Sequence, residues 1–219
     1  MDDQHYFSRD PAVPARFRSV RITVAGRPVT VRTASGVFSG DRLDPGTAVL
    51  LRHLPDPPAR GDLLDLGCGW GPLALELAAR SPGATVWAVD VNSRALELTA
   101  RNAADQGWSH VRCCLPHEVP ARVRFAALWS NPPVRIGKPA LHDLLRLWLG
   151  RLEEGGLAHL VVQRNLGADS LQRWIAGGMP AGDGPAGDRG PEPGGPRAGR
   201  VEVSRVASSR GYRVLRVAR

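Results

Sequence analysis

Apolar and polar residues alternate near the start of the chain, which predicts a pair of strands. Over residues 17–33 an apolar side chain stands at nearly every second position, on both sides of a turn at Ala25-Gly26-Arg27. This spacing is typical of a β-hairpin with one buried face. The next apolar segment, 45–54, predicts a short helix, and the proline-rich run 55–58 ends it.

From residue 61 onward, short apolar segments alternate with amphipathic ones. The predicted strands are 62–66, 84–90, 111–115, 125–130 and 156–163. The predicted helices are 72–80, 93–105, 138–149 and 168–176. Ser93 is the expected N-cap of the second of these helices. Strands that alternate with helices in this way indicate an α/β fold with a mostly parallel sheet.

The chain closes with a further pair of predicted strands. These are 201–206 and 212–217, around a turn at 208–211, and they predict an antiparallel hairpin on the edge of the sheet. Ahead of this hairpin, residues 177–200 contain nine Gly, five Pro and no aromatic residue. That composition predicts a flexible, solvated loop, with an RNA-contacting segment as the alternative.

These segments predict one principal domain. Residues 1–16 are polar and are expected to form an N-terminal arm, and residues 17–219 a single domain in which 17–60 is a β and helical extension. The chain has no run of 18 apolar residues and no apolar segment behind its polar N-terminus. We therefore expect no membrane span, no secretory signal and a cytoplasmic location.

The charge of the chain is strongly basic. Lys and Arg total 29 against 21 Asp and Glu, for a net charge of +8 and a pI near 10.8. Lys138 is the only lysine. A composition rich in Arg, Ala, Gly and Pro accounts for the preference of arginine over lysine, but not for the excess of basic over acidic residues. The excess favours a nucleic-acid partner, with an unspecialised basic surface as the alternative.

The cysteines do not point to a metal. Cys68, Cys113 and Cys114 do not form a C-x-x-C pair, and no histidine pair stands near them at ligand spacing. We expect three reduced thiols and no metal site.

A glycine-rich turn follows the first strand of the α/β part. It has the sequence Asp65-Leu66-Gly67-Cys68-Gly69-Trp70-Gly71 and opens a helix, so the backbone there can pass close to a ligand. Residue 72 is a proline where the dinucleotide fingerprint would continue, which favours a nucleoside without a pyrophosphate. Asp90 ends the next strand and can accept hydrogen bonds from both hydroxyls of a ribose. Asp65 can attract a cationic group; the alternative is that both acids only cap the local backbone.

A second polar turn follows the strand at 125–130. Asn131-Pro132-Pro133 is rigid, because each proline fixes φ and removes an N–H donor. The side-chain oxygen of Asn131 and the carbonyl of Pro132 can each accept one N–H of an exocyclic amine. This would turn the nitrogen lone pair toward an electrophile, which is catalysis by positioning. The alternative is a proline turn that only ends a strand.

Together these motifs resemble those of class I S-adenosylmethionine-dependent methyltransferases. Within that class they are similar to the small domain of the ribosomal RNA small subunit methyltransferase C type, the guanine-N2 methyltransferases, in a short single-domain form. Three further stretches carry the resemblance, which covers about 5–175 and 201–217. They are Gly36-Val37-Phe38-Ser39 with Leu43-Asp44-Pro45-Gly46-Thr47, the extension of the proline turn to Lys138, and Ser209-Arg210-Gly211-Tyr212.

The resemblance implies a Rossmann-like fold with a mostly parallel seven-stranded sheet, and S-adenosylmethionine as cofactor. The methionine part of the cofactor would lie along the glycine turn, its ribose on Asp90, and Asn131 and the Pro132 carbonyl would hold the acceptor amine. The implied cofactor-binding residues are Phe38, Thr47, Asp65, Gly67, Cys68, Gly69, Gly71, Asp90, Val91 and Asn131. The implied catalytic residues are Asn131, Pro132 and Pro133.

The implied partner is RNA, either ribosomal RNA or the small ribosomal subunit. Arg135 and Lys138, beside the acceptor turn, would contact its phosphates; a solvated basic loop is the alternative. The sequence carries no signal for an oligomeric state.

The sequence departs from the family pattern at three places. Val134 stands where many members have an aromatic residue that stacks on the acceptor base, so stacking must come from elsewhere, for example from Phe38 or a tryptophan. The third α/β strand ends without the acid that often contacts adenine, and the longer members carry a second methyltransferase-like domain that these residues lack. A methyltransferase acting on a protein glutamine amide or on a small molecule, and a cofactor-binding RNA chaperone without catalysis, remain alternatives.

Overall fold

The computed structural model describes residues 14–179 and 201–219. The strands are β1 (Phe17–Val24), β2 (Arg27–Ala34), β3 (Arg60–Leu66), β4 (Gly83–Val89), β5 (Val111–Cys114), β6 (Phe125–Ser130), β7 (Leu152–Gln163), β8 (Glu202–Ser209) and β9 (Tyr212–Ala218). The α-helices are α1 (Pro45–His53), α2 (Pro72–Arg80), α3 (Ser93–Asp105), α4 (Lys138–Leu149) and α5 (Ala168–Ala176).

The main sheet has seven strands in the order β5-β4-β3-β6-β7-β9-β8. The pairs from β5 to β7 are parallel, and β9 pairs antiparallel with both β7 and β8. The predicted α/β fold and its closing antiparallel hairpin are therefore confirmed. From β3 the chain first adds β4 and β5 on one side of the sheet, and then adds β6 and β7 on the other side. The strand order therefore reverses between β3 and β6. Ligands of such sheets bind at this reversal, outside the carboxyl ends of the strands.

Helices cover both faces of the sheet because its inner strands are apolar on both sides. Leu63 and Leu64 are consecutive on β3 and both fully buried, one in the cluster with α1 and α2 and the other in the cluster with α4 and α5. This is the pattern of a parallel sheet sandwiched between helices. The two helical layers hold the strand ends in fixed positions.

The predicted N-terminal hairpin is also confirmed, and it packs on a helix rather than joining the main sheet. β1 and β2 pair from Phe17↔Ala34 to Val24↔Arg27, around a turn in which Ala25 and Gly26 have positive φ. Asn102 of α3 fastens the hairpin to the rest of the chain. Its side chain accepts from the backbone N–H of Arg32 at 2.7 Å and donates to the Arg32 carbonyl at 2.8 Å.

Several predicted boundaries were wrong. The N-cap of α3 is Asn92 and not Ser93, because Asn92 has the extended backbone and accepts from the N–H of Ala95. β7 begins at Leu152 rather than at 156, and its pairing with β6 has an irregular register. β8 continues to Ser209, and its pairing with β9 has a register shift between Arg205 and Ala207.

Two predicted segments lie mainly outside the described residues. The N-terminal arm is described only from residue 14, and of the predicted 177–200 loop only 177–179 are described. The division of the chain into an arm, one domain and a loop stays a prediction. Within 14–179 and 201–219, no helix is both long and apolar enough to cross a membrane.

Candidate active site

A cleft of about 1180 Å³, its open mouth included, lies at the carboxyl ends of β3, β4, β6 and β7. Most of the residues singled out from the sequence meet there. Those that line it are Phe38, Gly67, Gly69, Asp90, Val91, Asn131, Pro132, Pro133 and Arg135. A smaller adjoining recess is lined by Thr47, Asp65 and Cys68, and it shares Phe38, Gly67, Gly69 and Asn131 with the cleft.

Two of the residues singled out lie away from both hollows. Gly71 is the N-cap of α2 with φ of +99°, and a Cβ built there would lie 2.9 Å from Cγ2 of Thr99. Its place in the sequence motif thus has a structural reason, the close approach of α3. Lys138 is exposed and begins α4.

The glycine turn is fastened to the end of β4 by hydrogen bonds. The N–H groups of Gly67 and Cys68 both donate to the Val89 carbonyl, at 2.8 and 3.1 Å. The N–H of Gly69 donates to Oδ2 of Asp90 at 2.9 Å. The turn and the acid at the end of the next strand therefore share one rigid framework.

Asp90 is positioned through both of its carboxylate oxygens. Oδ1 accepts a hydrogen bond from the N–H of Asn92 at 2.9 Å, and Oδ2 accepts the hydrogen bond from the N–H of Gly69. Burial raises the pKa of Asp90, and the backbone N–H groups of Asn92, Gly69 and Val91 partly offset that rise. Each oxygen keeps acceptor capacity on the side of the cleft.

Asp65 is fully buried beneath the glycine turn. Its Oδ2 accepts the N–H of Ala74 in α2 at 2.8 Å, whereas its Oδ1 has no hydrogen-bond partner. The pKa of this carboxyl is raised to about 8: burial is the largest cause, the hydrogen bond from Ala74 opposes it, and the charge of Asp90 adds to it. A cation placed beside the unused oxygen would favour the charged carboxylate, so this wall of the recess is suited to receiving one.

Asn131 follows β6 and faces the cleft from the opposite side. Its Nδ2 donates to Oδ2 of Asp44 at 2.8 Å and to Oγ1 of Thr47 at 3.1 Å. Both of its amide protons are therefore engaged, and Oδ1 is left as an acceptor. The Pro132 carbonyl accepts the N–H of Val134 at 2.8 Å and keeps one further lone pair.

The cleft is also lined by residues to which the sequence gave no role. They are Asp44, Asn92, Pro116, Leu144, Gln163, Leu166 and Tyr212. Gln163 ends β7, and its position at the carboxyl edge could have been found from the parallel strand pattern. Tyr212 is opposite Gln163 only because β9 lies between β7 and β8, which the sequence does not reveal. Three large apolar side chains lie exposed at the cleft, Phe38, Val91 and Leu166, at 46%, 41% and 45%.

The described residues contain no cluster of three or more His, Cys, Asp or Glu side chains that could hold a metal ion. The polar groups of the cleft are suited to a nucleoside and an amine. The strand order and the cleft at the reversal of the sheet define the Rossmann-like fold of class I methyltransferases.

Comparison with known proteins narrows this class. The family model described as the methyltransferase small domain matches residues 28–177. The chain belongs to this family and is an S-adenosylmethionine-dependent methyltransferase.

Among curated relatives, an uncharacterised protein of Bacillus subtilis, YbxB, is 33% identical over 170 residues, which is 76% of this chain and 85% of that protein. A ribosomal RNA small subunit methyltransferase C of Shewanella halifaxensis is 33% identical over 142 residues, which is 63% of this chain but only 41% of that protein. The chain thus spans about two fifths of the length of that relative.

Among solved structures, a 16S rRNA N2 methyltransferase from Thermus thermophilus, in complex with AdoMet and guanosine, superposes with a TM-score of 0.70 at 22% identity. The match covers 95% of this chain and 52% of that one. A second Thermus thermophilus protein, TrmN, gives a TM-score of 0.53 at 25% identity over 78% of this chain and 47% of that one. Both similarities concern the fold.

The chemistry of the site fits S-adenosylmethionine. The cofactor carries a cationic ammonium and a sulfonium, and the unpaired Oδ1 of Asp65 is an acceptor without a partner next to the glycine turn. The two ribose hydroxyls need acceptors, and the carboxylate of Asp90 lines the cleft at the end of β4, where it could accept from them. Val89, Val91 and Pro116 give the cleft an apolar wall suited to an adenine ring.

Proposed function

We propose that this protein methylates the exocyclic amine of a guanine in ribosomal RNA, using S-adenosylmethionine. The observation that carries the proposal is that the acid-and-glycine framework of β3 and β4 and the Asn131-Pro132-Pro133 turn after β6 line the same cleft. A site for a nucleoside-type cofactor and a site that can hold an amine therefore lie next to each other.

On the cofactor side, the residues of the chain bind and orient. Asp65 receives the cationic end of the cofactor in the smaller recess, and Asp90 accepts from the ribose. Phe38 and Thr47 close the site, and Gly67, Cys68, Gly69 and Val91 form its walls. The bound cofactor supplies an electrophilic methyl group on sulfur.

On the acceptor side, Asn131 and the Pro132 carbonyl each accept one N–H of the amine. Their two hydrogen bonds hold the nitrogen with its lone pair toward the methyl carbon. In this position the amine would form a nitrogen–carbon bond as the carbon–sulfur bond of the cofactor breaks, and it would then lose one proton to solvent. The protein contributes the orientation of the reacting groups, which can lower the activation free energy by about 7 kcal/mol or more.

Four observations favour RNA as the acceptor. The chain has a net charge of +8, and Arg135 is exposed at the wall of the cleft, where a phosphate can reach it. The relatives named above include methyltransferases of ribosomal RNA. The exposed ring of Phe38 at the cleft offers the stacking surface that Val134 does not, and the target guanine has to be unpaired or flipped out to enter.

The test is an acceptor panel with radiolabelled S-adenosylmethionine. Purified protein is incubated with naked 16S rRNA, with small ribosomal subunits and with an RNase-treated protein extract, all from cells that lack the gene. We expect label in the RNA or the subunits with the wild type, and only a slow residual rate with Asn131→Ala at equal cofactor occupancy. Label in the protein extract would overturn the RNA proposal in favour of a glutamine amide. Label nowhere, with cofactor bound, would overturn it in favour of a small-molecule acceptor or a binding module.

A further inference from the structure

Asn131 has a partner that comes from a distant part of the chain. Asp44 precedes α1, lies 87 residues from Asn131 in sequence, and accepts from Asn131 Nδ2 at 2.8 Å. The same Oδ2 atom accepts the N–H of Thr47 at 2.9 Å, which makes Asp44 the N-cap of α1. One carboxylate oxygen therefore joins the start of α1 to the acceptor turn.

We infer that Asp44 is a positioning residue for methyl transfer, because it fixes the orientation of the Asn131 amide. This inference rests on the function proposed above. A carboxylate oxygen only accepts hydrogen bonds, whereas the amide has an oxygen on one side and an NH₂ group on the other. Rotating the amide by half a turn would bring its oxygen against the oxygen of Asp44, and two acceptors repel each other. Asp44 thus selects the rotamer in which Oδ1 of Asn131 is directed away from it and is free to accept from the substrate amine.

Thr47 reinforces this orientation but cannot impose it. Its Oγ1 accepts the other contact from Asn131 Nδ2 at 3.1 Å. A hydroxyl can donate as well as accept, so Thr47 would tolerate either orientation of the amide. The selectivity therefore comes from the carboxylate.

The packing of α1 makes Asp44 a firm anchor. Val49 and Leu50 of α1 are buried in the core, at 1% and 0% exposure, which fixes the helix against the sheet. At Gly46, a built Cβ would lie 2.9 Å from Cε1 of Tyr212, so the first turn of α1 is in close contact with β9. The carboxylate cannot move away from Asn131 without shifting the helix it caps.

Asp44→Ser is the variant that separates positioning from helix capping. Serine is as good an N-cap as aspartate but is too short to reach Asn131. We expect kcat to fall about 10- to 100-fold, since small misplacements at a reacting centre have effects of that size. The dissociation constant for S-adenosylhomocysteine should stay within about threefold, because Asp44 acts through the acceptor side. Asp41→Ser is the matched control, an exposed aspartate three residues away, and should leave kcat unchanged.

A double-mutant cycle tests whether Asp44 acts through Asn131. If it does, Asp44→Ser combined with Asn131→Ala is no slower than Asn131→Ala alone. A further multiplicative loss in the double variant would mean that Asp44 acts directly or on the fold, and would overturn the inference. Asp44→Asn gives the complementary test. It keeps the cap and the shape but lets either amide orientation form, so kcat should lie between those of wild type and Asp44→Ser.

A readout without any acceptor keeps this inference separate from the proposed function. In ¹⁵N-labelled protein, the side-chain NH₂ of Asn131 should give two distinct, exchange-protected proton signals, assigned by their loss in Asn131→Ala. Asp44→Ser should collapse that protection while the backbone spectrum of α1 stays intact. Protected signals with no methylation of any RNA would defeat the proposed function alone. Signals already unprotected in the wild type, or unchanged in Asp44→Ser, would overturn the positioning role of Asp44.

Discussion

The backbone N–H of Gly69 donates to Oδ2 of Asp90 at 2.9 Å, which joins the glycine turn after β3 to the acid after β4. The other oxygen of Asp90 holds the N–H of Asn92, so the same carboxylate also supports the chain that leads into α3. Asp90 is therefore both a framework residue and, in the proposed function, the acceptor for the ribose hydroxyls. Substitution of Asp90 should therefore change binding on the cofactor side of the cleft and leave binding on the acceptor side unchanged.

We expect Asp90→Ala to raise the dissociation constant for S-adenosylhomocysteine about 10- to 100-fold, since it removes hydrogen bonds worth about 1.5–3 kcal/mol with charged partners. Isothermal calorimetry is the measurement. Asp105→Ala, at an exposed aspartate paired with Arg32 on the surface, is the control and should bind the cofactor normally. Equal affinity in wild type and Asp90→Ala would remove Asp90 from the cofactor site.

Gly71→Ala should destabilise the fold by about 1–3 kcal/mol, because its φ of +99° disfavours a side chain and a Cβ would meet Thr99 at 2.9 Å. The measurement is the free energy of unfolding in urea. Thr99→Ser removes the methyl group involved and keeps the hydroxyl that donates to the Gly69 carbonyl at 2.9 Å. The Oγ1 contact, at 3.0 Å from the built Cβ, remains in that background, so the cost of Gly71→Ala should fall only in part, and an unchanged cost would show that the methyl contact plays no part.

Asp65 gives a pH dependence of stability whose sign follows from its burial. The folded protein holds the proton with a pKa of about 8, against an ordinary value of 3.8, so folding favours protonated Asp65. The resulting stability is complete below pH 4 and is lost as pH rises toward 8. The slope is at most about 1.4 kcal/mol per pH unit for one proton.

Comparison with Asp65→Asn isolates this effect without ligand. His159 acts in the opposite direction, since burial lowers its pKa from 6.5 to about 4 and its contribution is lost as pH falls across that range. Because both proteins contain His159, its effect cancels in the difference. We expect the advantage of Asp65→Asn over wild type, measured by urea unfolding, to grow from pH 5 to pH 8. A constant difference would contradict the protonation of buried Asp65.

The two basic residues after the acceptor turn should differ in their effect on RNA binding. Arg135 lines the cleft, whereas Lys138 is exposed outside it, so Arg135→Ala should weaken binding more than Lys138→Ala. Loss of one phosphate contact lowers the slope of log affinity against log salt by about 1. Fluorescence anisotropy with labelled RNA at several salt concentrations measures both quantities. Arg60→Ala, at the opposite end of β3, is the control, and a loss there as large as at Arg135 would show that only net charge matters.

Much of the fold could be predicted from the sequence because local signals agreed with one another. Apolar segments between glycine and proline residues marked each strand and helix of the α/β part. The acids Asp65 and Asp90 and the amide of Asn131 could be placed at one sheet edge, since the carboxyl ends of parallel strands meet there. The N-cap of α3 could not be predicted, because Asn92 and Ser93 are both good caps and only the backbone conformation decides between them.

The rest of the site depends on long-range packing. Asp44 meets Asn131 only because α1 packs beside β7 and β9, and no periodicity in the sequence carries that information. Tyr212 reaches the cleft only through the position of β9 in the middle of the closing antiparallel strands. The unpaired Oδ1 of Asp65 is likewise a property of the folded core and not of the motif.

The most direct test of the central claim is mass spectrometry of nucleosides from the RNA after incubation with the protein and S-adenosylmethionine. We predict one product, a guanosine heavier by one methyl group that co-elutes with N2-methylguanosine. It should form at least about 100-fold more slowly with Asn131→Ala, which still binds the cofactor. A methyl group on a ring nitrogen or on ribose, or the same product at the wild-type rate with Asn131→Ala, would contradict the account.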